Sequence, residues 1–253
     1  MQALENLPGS DLTENQPDPL QARSLSFKRA FWIVTLFILV NQIFALTIRF
    51  LYGFDKEVFP SNYYLYLDLG GLFWYAAFLA FVVRDIKSHQ MSPLQLFNAD
   101  LTVLFRFFPQ VLKYFSGCAV IVFLLSFFSK ETELALEHQT KTAILISLFS
   151  TVIVAPVFEE NIFRGYLYTA MLPTFKRVKE RLVVNAMLFA AAHVFLVAFF
   201  LGAVIPYYIF VLGYFLAKLY EDSRSVLPGI WLHALNNGLV FFIDVSKLNG
   251  WLT

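Results

Sequence analysis

The chain has 253 residues, of which 58% are hydrophobic and 18% aromatic, while 15% are charged. Its mean hydropathy of +0.64 lies outside the usual range of soluble domains and indicates an integral membrane protein embedded in a lipid bilayer. The net charge of +1 provides no basic field for nucleic acid, so nucleic acid is not expected as a partner. The single cysteine, Cys118, lies in an apolar run, which argues against an intrachain disulfide and a cysteine zinc cluster.

The N-terminal segment differs in composition from the rest of the chain. Residues 1–26 are polar, contain three prolines and show no apolar periodicity, so we interpret them as a flexible tail. The first apolar run, residues 30–48, directly follows Lys28 and Arg29. It is long enough to cross a hydrocarbon core of about 30 Å and longer than the core of a signal peptide, so we predict a span that stays in the protein.

Further apolar runs predict six more transmembrane helices. The runs are residues 64–83, 107–128, 143–158, 182–217 and 229–243. The run 182–217 would form a helix of about 54 Å, too long for one crossing, and Gly202 and Pro206 offer a break, so we count it as two spans. The expected fold class is therefore all-α, a polytopic bundle of about seven transmembrane helices.

The positions of lysine and arginine orient this bundle. Most of the 19 basic residues lie on one side if the N-terminus is cytoplasmic, which favours the N-in arrangement. Residues 94–108 carry apolar side chains at spacings of three, four and seven, which predicts an amphipathic helix on the cytoplasmic surface. No repeat of fixed period is visible, so the pattern does not favour an inverted-repeat transporter.

Three polar groups fall within the predicted spans or at their ends. The stretch VFEENIFRG contains Glu159, Glu160 and Arg164, FAAAH ends in His193, and HALNN contains His233, Asn236 and Asn237. An ionisable residue at bilayer depth costs roughly 2.5 to 3.5 kcal/mol and therefore requires a partner or a function. If the helix continues through the first stretch, Glu160 faces Arg164 four residues later, while Glu159 is turned about 100° away and has no partner there.

Each group alone has a structural explanation, either an ion pair at a helix end or an interhelical hydrogen bond. Together they suit hydrolysis, because a carboxylate shielded from water is a good general base and a histidine can help to hold the attacking water. An amide and an imidazole N–H can donate to the resulting oxyanion. The sequence contains neither a G-x-S-x-G elbow nor an H-E-x-x-H zinc helix.

In this order the three stretches resemble the E-E-x-x-x-R, F-x-x-x-H and H-x-x-x-N/B motifs of the CPBP (Abi) family. This family of CAAX proteases and bacteriocin-processing enzymes includes the eukaryotic type II CAAX prenyl endopeptidase. The resemblance implies a catalytic helical core over residues 141–247, whereas residues 27–140, the first three spans, match only in being membrane-spanning. It also implies an intramembrane endopeptidase acting on a membrane-anchored, prenylated or otherwise hydrophobic peptide.

The resemblance further implies a role for each motif residue. Glu159 and His193 would activate water, and His233 and Asn237 would stabilise the oxyanion. The expected supporting residues are Glu160, held by Arg164, and Phe189, which would pack at the site. A metal-free glutamic mechanism without a cofactor is favoured, although zinc bound by Glu159, His193 and His233 is possible.

Other functions stay open beside the protease. A non-catalytic scaffold or regulator of the same fold would keep the cavity to bind a hydrophobic peptide. A small transporter would use the glutamate and histidines as a proton relay. For the protease, the expected location is a bacterial inner membrane with the site facing the cytoplasmic half, and CAAX processing, bacteriocin processing and protein sorting are all compatible with the residues.

Overall fold

The computed structural model of the chain describes residues 25–52, 61–126, 141–197 and 204–248. The regular elements in these ranges are helices, with no strand among them, which confirms the all-α class for the described residues. In chain order the helices are α1 Phe27–Tyr52, α2 Ser61–Ser88, α3 Pro93–Phe97, α4 Leu101–Ser126, α5 Lys141–Met171, α6 Val178–Val197, α7 Val204–Ser223 and α8 Leu227–Leu248. The predicted flexible tail falls almost entirely outside the described residues.

Within the described ranges, four helices are long and apolar enough to cross a membrane, judged by length and composition. They are Phe27–Ile48, Leu65–Ser88, Leu101–Leu125 and Lys141–Met171, and α8 contains a shorter apolar helix, Leu227–Ile243. The chain is therefore an integral membrane protein, while the count of seven spans stays a prediction. The long run 182–217 does form two helices, α6 and α7. Gly202, the predicted break, lies outside the described residues, and Pro206 lies in the first turn of α7, where proline is tolerated.

The amphipathic helix predicted over residues 94–108 is wrong as a single element. The structure has the short helix α3 there, then a break, and then the first residues of α4. The break has a local cause, because the carboxylate of Asp100 accepts a hydrogen bond of 2.8 Å from the backbone N–H of Thr102 and caps α4. The apolar spacing continues across the break, which is why periodicity alone did not reveal it.

Helix α5 is the central element of the fold. Every residue from 160 to 172 is buried, whereas the residues from 141 to 149, apart from Ala143, are exposed or half-buried. It is α-helical at its start and becomes π-helical twice, at Ser150–Val154 and at Asn161–Tyr168. Such π-helical turns are rare in proteins, and those that occur are often found at functional sites. The helix runs without interruption through Glu159, Glu160 and Arg164, which meets the condition for the predicted spacing of these residues.

Polar contacts at three positions of α2, which we call the polar ladder, join this helix to α5. In chain order they are Asp68 with Ser147 and Ser150, Tyr75 with Glu159, and Asp85 with Tyr166. The partners advance in the same direction along both helices, so α2 and α5 run parallel. Each contact satisfies polar atoms in an apolar surround, where an unpaired group would be costly. The ladder thereby fixes α2 against the helix that carries the first motif.

Small residues bring α6 and α7 close together. At Gly213 of α7, an added Cβ would lie 3.3 Å from Cα of Ala186 on α6 and 3.0 Å from the ring of Phe189. Small side chains at such crossings let helix backbones approach closely, as is common in membrane bundles. Helix α8 packs against α4, α7 and the first half of α5, and α6 contacts the π-helical segment Asn161–Tyr168 of α5, so the third and second motifs both lie next to the first.

Candidate active site

The structure brings the three sequence motifs together around one carboxylate. Glu159 lies on α5, His193 on α6 and His233 on α8. Oε2 of Glu159 is 3.5 Å from Nε2 of His193 and 3.9 Å from Nε2 of His233. Both distances exceed an ordinary hydrogen bond, so Oε2 of Glu159 is close to both rings without bonding either directly.

Accessibility separates the two adjacent glutamates. The side chains of Glu159 and His193 keep 12% and 29% of their exposure, whereas those of Glu160 and Arg164 keep none. The side chain of Glu159 is therefore partly exposed, although its Oε2 atom is buried, whereas Glu160 is fully buried. The glutamate that lacks an ion-pair partner on its own helix is also the partly exposed one.

Glu160 is held from two sides. Its Oε1 is 2.9 Å from Nη1 of Arg164, the predicted ion pair four residues apart, and 3.0 Å from Nδ1 of His233. Arg164 also donates through Nη2 to the carbonyl of Gly213 at 3.1 Å, and its guanidinium lies 4.3 Å from the ring centre of Phe189. Glu160 therefore connects the first motif to the histidine of the third.

Hydrogen-bond partners determine which nitrogen of each neutral histidine carries the proton. Nδ1 of His193 is 2.8 Å from the carbonyl of Phe189, which can only accept, so Nδ1 is the donor. Nδ1 of His233 faces the Glu160 carboxylate and donates for the same reason. Both neutral rings thus direct an unprotonated Nε2 toward Oε2 of Glu159. In that protonation state three acceptor atoms converge, an arrangement that suits a group with hydrogens to donate.

Phe189 fills the space beside the two imidazoles. Its ring centre is 4.7 Å from that of His193 and 5.7 Å from that of His233, and its own exposure is 1%. Phe163 packs against it edge-on at 5.2 Å. The ring therefore restricts how either histidine can turn, which keeps both Nε2 atoms directed at Glu159.

The two neighbouring asparagines of α8 have different partners. Nδ2 of Asn237 donates to the carbonyl of Thr151 at 3.0 Å, within the first π-helical segment of α5. This bond uses one of the two amide hydrogens and leaves the other available. Asn236, which sequence reasoning left as a packing residue, accepts a hydrogen bond from the hydroxyl of Tyr208 and is buried.

Tyr75 is a member of the site that the motifs do not contain. Its hydroxyl donates to Oε1 of Glu159 at 2.9 Å from α2, 84 residues earlier in the chain. Glu159 therefore has a partner after all, on another helix. A buried tyrosine hydroxyl usually finds a hydrogen-bond partner, but the sequence has twelve tyrosines and no feature that distinguishes this one.

The described residues contain no preformed metal site. In those ranges no group of three or more His, Cys, Asp or Glu side chains is arranged to hold a metal ion. The possible zinc ligands Glu159, His193 and His233 do not meet that requirement.

Comparison with known families assigns the second half of the chain. Residues 141–239 match the family model described as Rce1-like, type II CAAX prenyl endopeptidase Rce1-like. We call this segment, which is similar to that family, the CAAX-protease segment. The match confirms the resemblance carried by the motifs, and the CAAX-protease segment contains every motif residue from Glu159 to Asn237. Tyr75 lies outside it, on α2. No curated protein and no solved structure matches the chain.

Proposed function

We propose that the chain is an intramembrane endopeptidase that hydrolyses a peptide bond near the C-terminus of a membrane-anchored or lipidated protein. The observation that carries this proposal is the convergence of His193 and His233 on Oε2 of Glu159 within the CAAX-protease segment. The substrate class follows from the family description, which names a prenyl endopeptidase, and from the apolar helices that surround the site.

The first step of the proposed reaction is the attack of water. A water molecule donates one hydrogen to Oε2 of Glu159 and the other to Nε2 of His193. Glu159 removes the proton as the water oxygen bonds to the peptide carbonyl carbon, which produces a tetrahedral oxyanion. Phe189 and Glu160 keep the two imidazoles in place during this step.

The second step is the collapse of that intermediate. The free amide hydrogen of Asn237 donates to the oxyanion, and so does Nε2–H of His233 when that ring enters the reaction as an imidazolium and keeps its proton throughout. Glu160 and Glu159 lie on either side of that imidazolium and stabilise its charge. The C–N bond then breaks, and Glu159 returns its proton to the leaving amine, so water and peptide become a carboxylic acid and an amine, which exchange a proton to give a carboxylate and an ammonium group.

The test of this proposal is cleavage by the purified protein in proteoliposomes. The probe is an internally quenched peptide that ends in an S-farnesylated CAAX sequence. We expect cleavage by the wild type and by a surface control, Lys218→Gln, and losses of at least about a thousandfold in Glu159→Gln and His193→Ala. Cleavage by Glu159→Gln at the wild-type rate would contradict the proposal.

Two alternatives give different results in related experiments. For a non-catalytic scaffold, Glu159→Gln would restore the phenotype of a deletion strain in full, and the C-termini of membrane proteins would be unchanged in that strain. For a zinc enzyme, the purified protein would contain about one zinc per chain, and its removal would abolish cleavage reversibly. We expect cleavage to persist in a chelator and the metal content to be far below one per chain.

The proposed location is a bacterial inner membrane, with the N-terminus and the opening of the site on the cytoplasmic side. The basic residues near the helix ends support this orientation. Tagging the N-terminus and the C-terminus with reporters that are active on one side of the membrane tests it. A cytoplasmic signal from the N-terminal tag and none from the C-terminal tag is the expected result.

A further inference from the structure

We infer that Tyr75 is a positioning residue of this site, whose hydroxyl orients the Glu159 carboxylate so that Oε2 faces the two histidines. The inference rests on the proposed function, which assigns Glu159 as the base. It adds to the catalytic machinery a residue from α2, a helix that lies outside the CAAX-protease segment. The N-terminal half of the chain would then contribute to catalysis and not to membrane anchoring alone.

The hydrogen bond selects one orientation of the carboxylate. The Tyr75 hydroxyl donates to Oε1 at 2.9 Å, while Oε2 makes no hydrogen bond to any residue in the described ranges. The terminal torsion angle of a glutamate side chain has a broad, nearly two-fold distribution. The side chain alone therefore does not fix which oxygen faces the two histidines. Because Tyr75 engages Oε1, Oε2 is the oxygen left to accept a proton from water.

Tyr75 is itself firmly held. Its ring centre lies 5.5 Å from that of Phe158 on α5 and 6.0 Å from that of Phe37 on α1, so aromatic rings from two helices restrict its rotation. The Tyr75 contact is also the middle one of the polar ladder, with Asp68 and Asp85 making contacts toward the two ends of α2. These contacts fix α2 along α5, and Tyr75 therefore offers its hydroxyl to Glu159 from a rigid support.

The chemistry requires such a donor. In an apolar surround a carboxylate without a fixed donor can rotate, so that either of its oxygens faces the two histidines. A hydrogen bond to a charged group is among the stronger ones in proteins. Removing the Tyr75 hydroxyl should therefore lower kcat roughly 10- to 100-fold with little change in KM, since the base is misplaced while the surfaces that bind the peptide stay the same.

The variant that tests this is Tyr75→Phe, with Tyr114→Phe as the matched control. Both changes remove one tyrosine hydroxyl and keep the ring, but the Tyr114 hydroxyl bonds Gln110 and its ring stacks on Phe215. With the farnesylated peptide we expect the loss of kcat in Tyr75→Phe and wild-type kinetics in Tyr114→Phe. Wild-type kcat in Tyr75→Phe, alongside an inactive Glu159→Gln, would overturn the inference and leave the proposed function intact.

A second measurement does not depend on cleavage. The infrared difference spectrum between the wild type and Glu159→Gln isolates the carboxylate bands of Glu159, and the same difference is recorded in the Tyr75→Phe background. We expect the antisymmetric stretch to shift in that background because the carboxylate has lost its donor. Identical bands in both backgrounds would overturn the inference. Thermal unfolding in detergent, expected to be two-state and close to the wild type for Tyr75→Phe, shows that the variant is folded.

Discussion

Nδ1 of His233 lies 3.0 Å from Oε1 of Glu160, a contact that joins two of the three sequence motifs across 73 residues. The same oxygen receives Nη1 of Arg164, and all three side chains are almost fully buried. A buried carboxylate with two cationic or N–H partners is an anchor and cannot be reached by substrate. The second glutamate of the pair thus holds a histidine in place, while the first, Glu159, faces His193 and His233.

The Glu160–Arg164 pair should contribute strongly to stability, because removing one member leaves the other charged and buried. We expect Arg164→Ala to lower the free energy of unfolding by about 3 to 5 kcal/mol. The matched control is Lys218→Ala, which breaks another pair four residues apart, with Asp222, whose members keep 35% and 28% of their exposure. That change should cost less than about 1 kcal/mol. Denaturant unfolding in micelles measures both, and equal losses would contradict the argument.

Gly229 permits the close approach of α8 to Glu160. A Cβ there would lie 2.8 Å from Oε2 of Glu160, and the carboxylate cannot move away because Arg164 and His233 hold its other oxygen. Gly229→Ala should therefore destabilise the protein by about 1 to 3 kcal/mol. It should also reduce cleavage, because the displaced Glu160 no longer orients His233.

Gly71 on α2 is the control for that substitution. A Cβ at Gly71 would meet nothing within 4 Å. Gly71→Ala should be neutral or stabilise the protein by up to about 1 kcal/mol, since alanine has the higher helix propensity. Unfolding curves for both variants decide the matter, and a Gly229→Ala protein as stable as Gly71→Ala would show that Glu160 has room to shift.

Much of this arrangement follows from local rules. Apolar composition determines the helical class, because an apolar environment forces backbone groups to pair within each segment. The spacing of Glu160 and Arg164 determines their ion pair once the helix continues through both. The need of polar groups for partners in an apolar surround indicates that Glu159, His193 and His233 meet.

Other features depend on tertiary packing that no local pattern encodes. Tyr75 reaches Glu159 because α2 lies parallel to α5, and nothing within α2 specifies its neighbour. Likewise, the apolar spacing of the residues around Thr151 does not predict the π-helical turn that they form. At Asp100 a local signal overrides the periodicity. Its side chain caps the start of α4 and separates that helix from α3, although the apolar spacing of the sequence continues across both.

Removing either side chain of the Asp85–Tyr166 contact, at the end of the polar ladder, should lower the free energy of unfolding by a different amount. Asp85, which is 4% exposed, accepts from the hydroxyl of Tyr166 at 2.6 Å and pairs with Arg29. Asp85→Ala leaves the buried Tyr166 hydroxyl without its acceptor and should cost about 1 to 3 kcal/mol of unfolding free energy. Tyr166→Phe should cost less, about 0.5 to 1.5 kcal/mol, because Asp85 keeps Arg29. A double-mutant cycle of the two measures their coupling, and a coupling near zero would contradict the contact.

The two adjacent asparagines should separate activity from stability. Asn237, which would donate to the oxyanion, bonds the Thr151 carbonyl, whereas Asn236 bonds Tyr208 away from the reacting atoms. Asn237→Ala should lower kcat by about 10²-fold, the usual loss on removing one oxyanion donor. Asn236→Ala should instead cost about 1 to 2 kcal/mol of unfolding free energy and keep kcat within about threefold, because its loss leaves a buried hydroxyl unpaired. Steady-state kinetics and unfolding of both variants provide the comparison. The same pattern of losses in the two would mean that Asn237, like its neighbour, only joins helices.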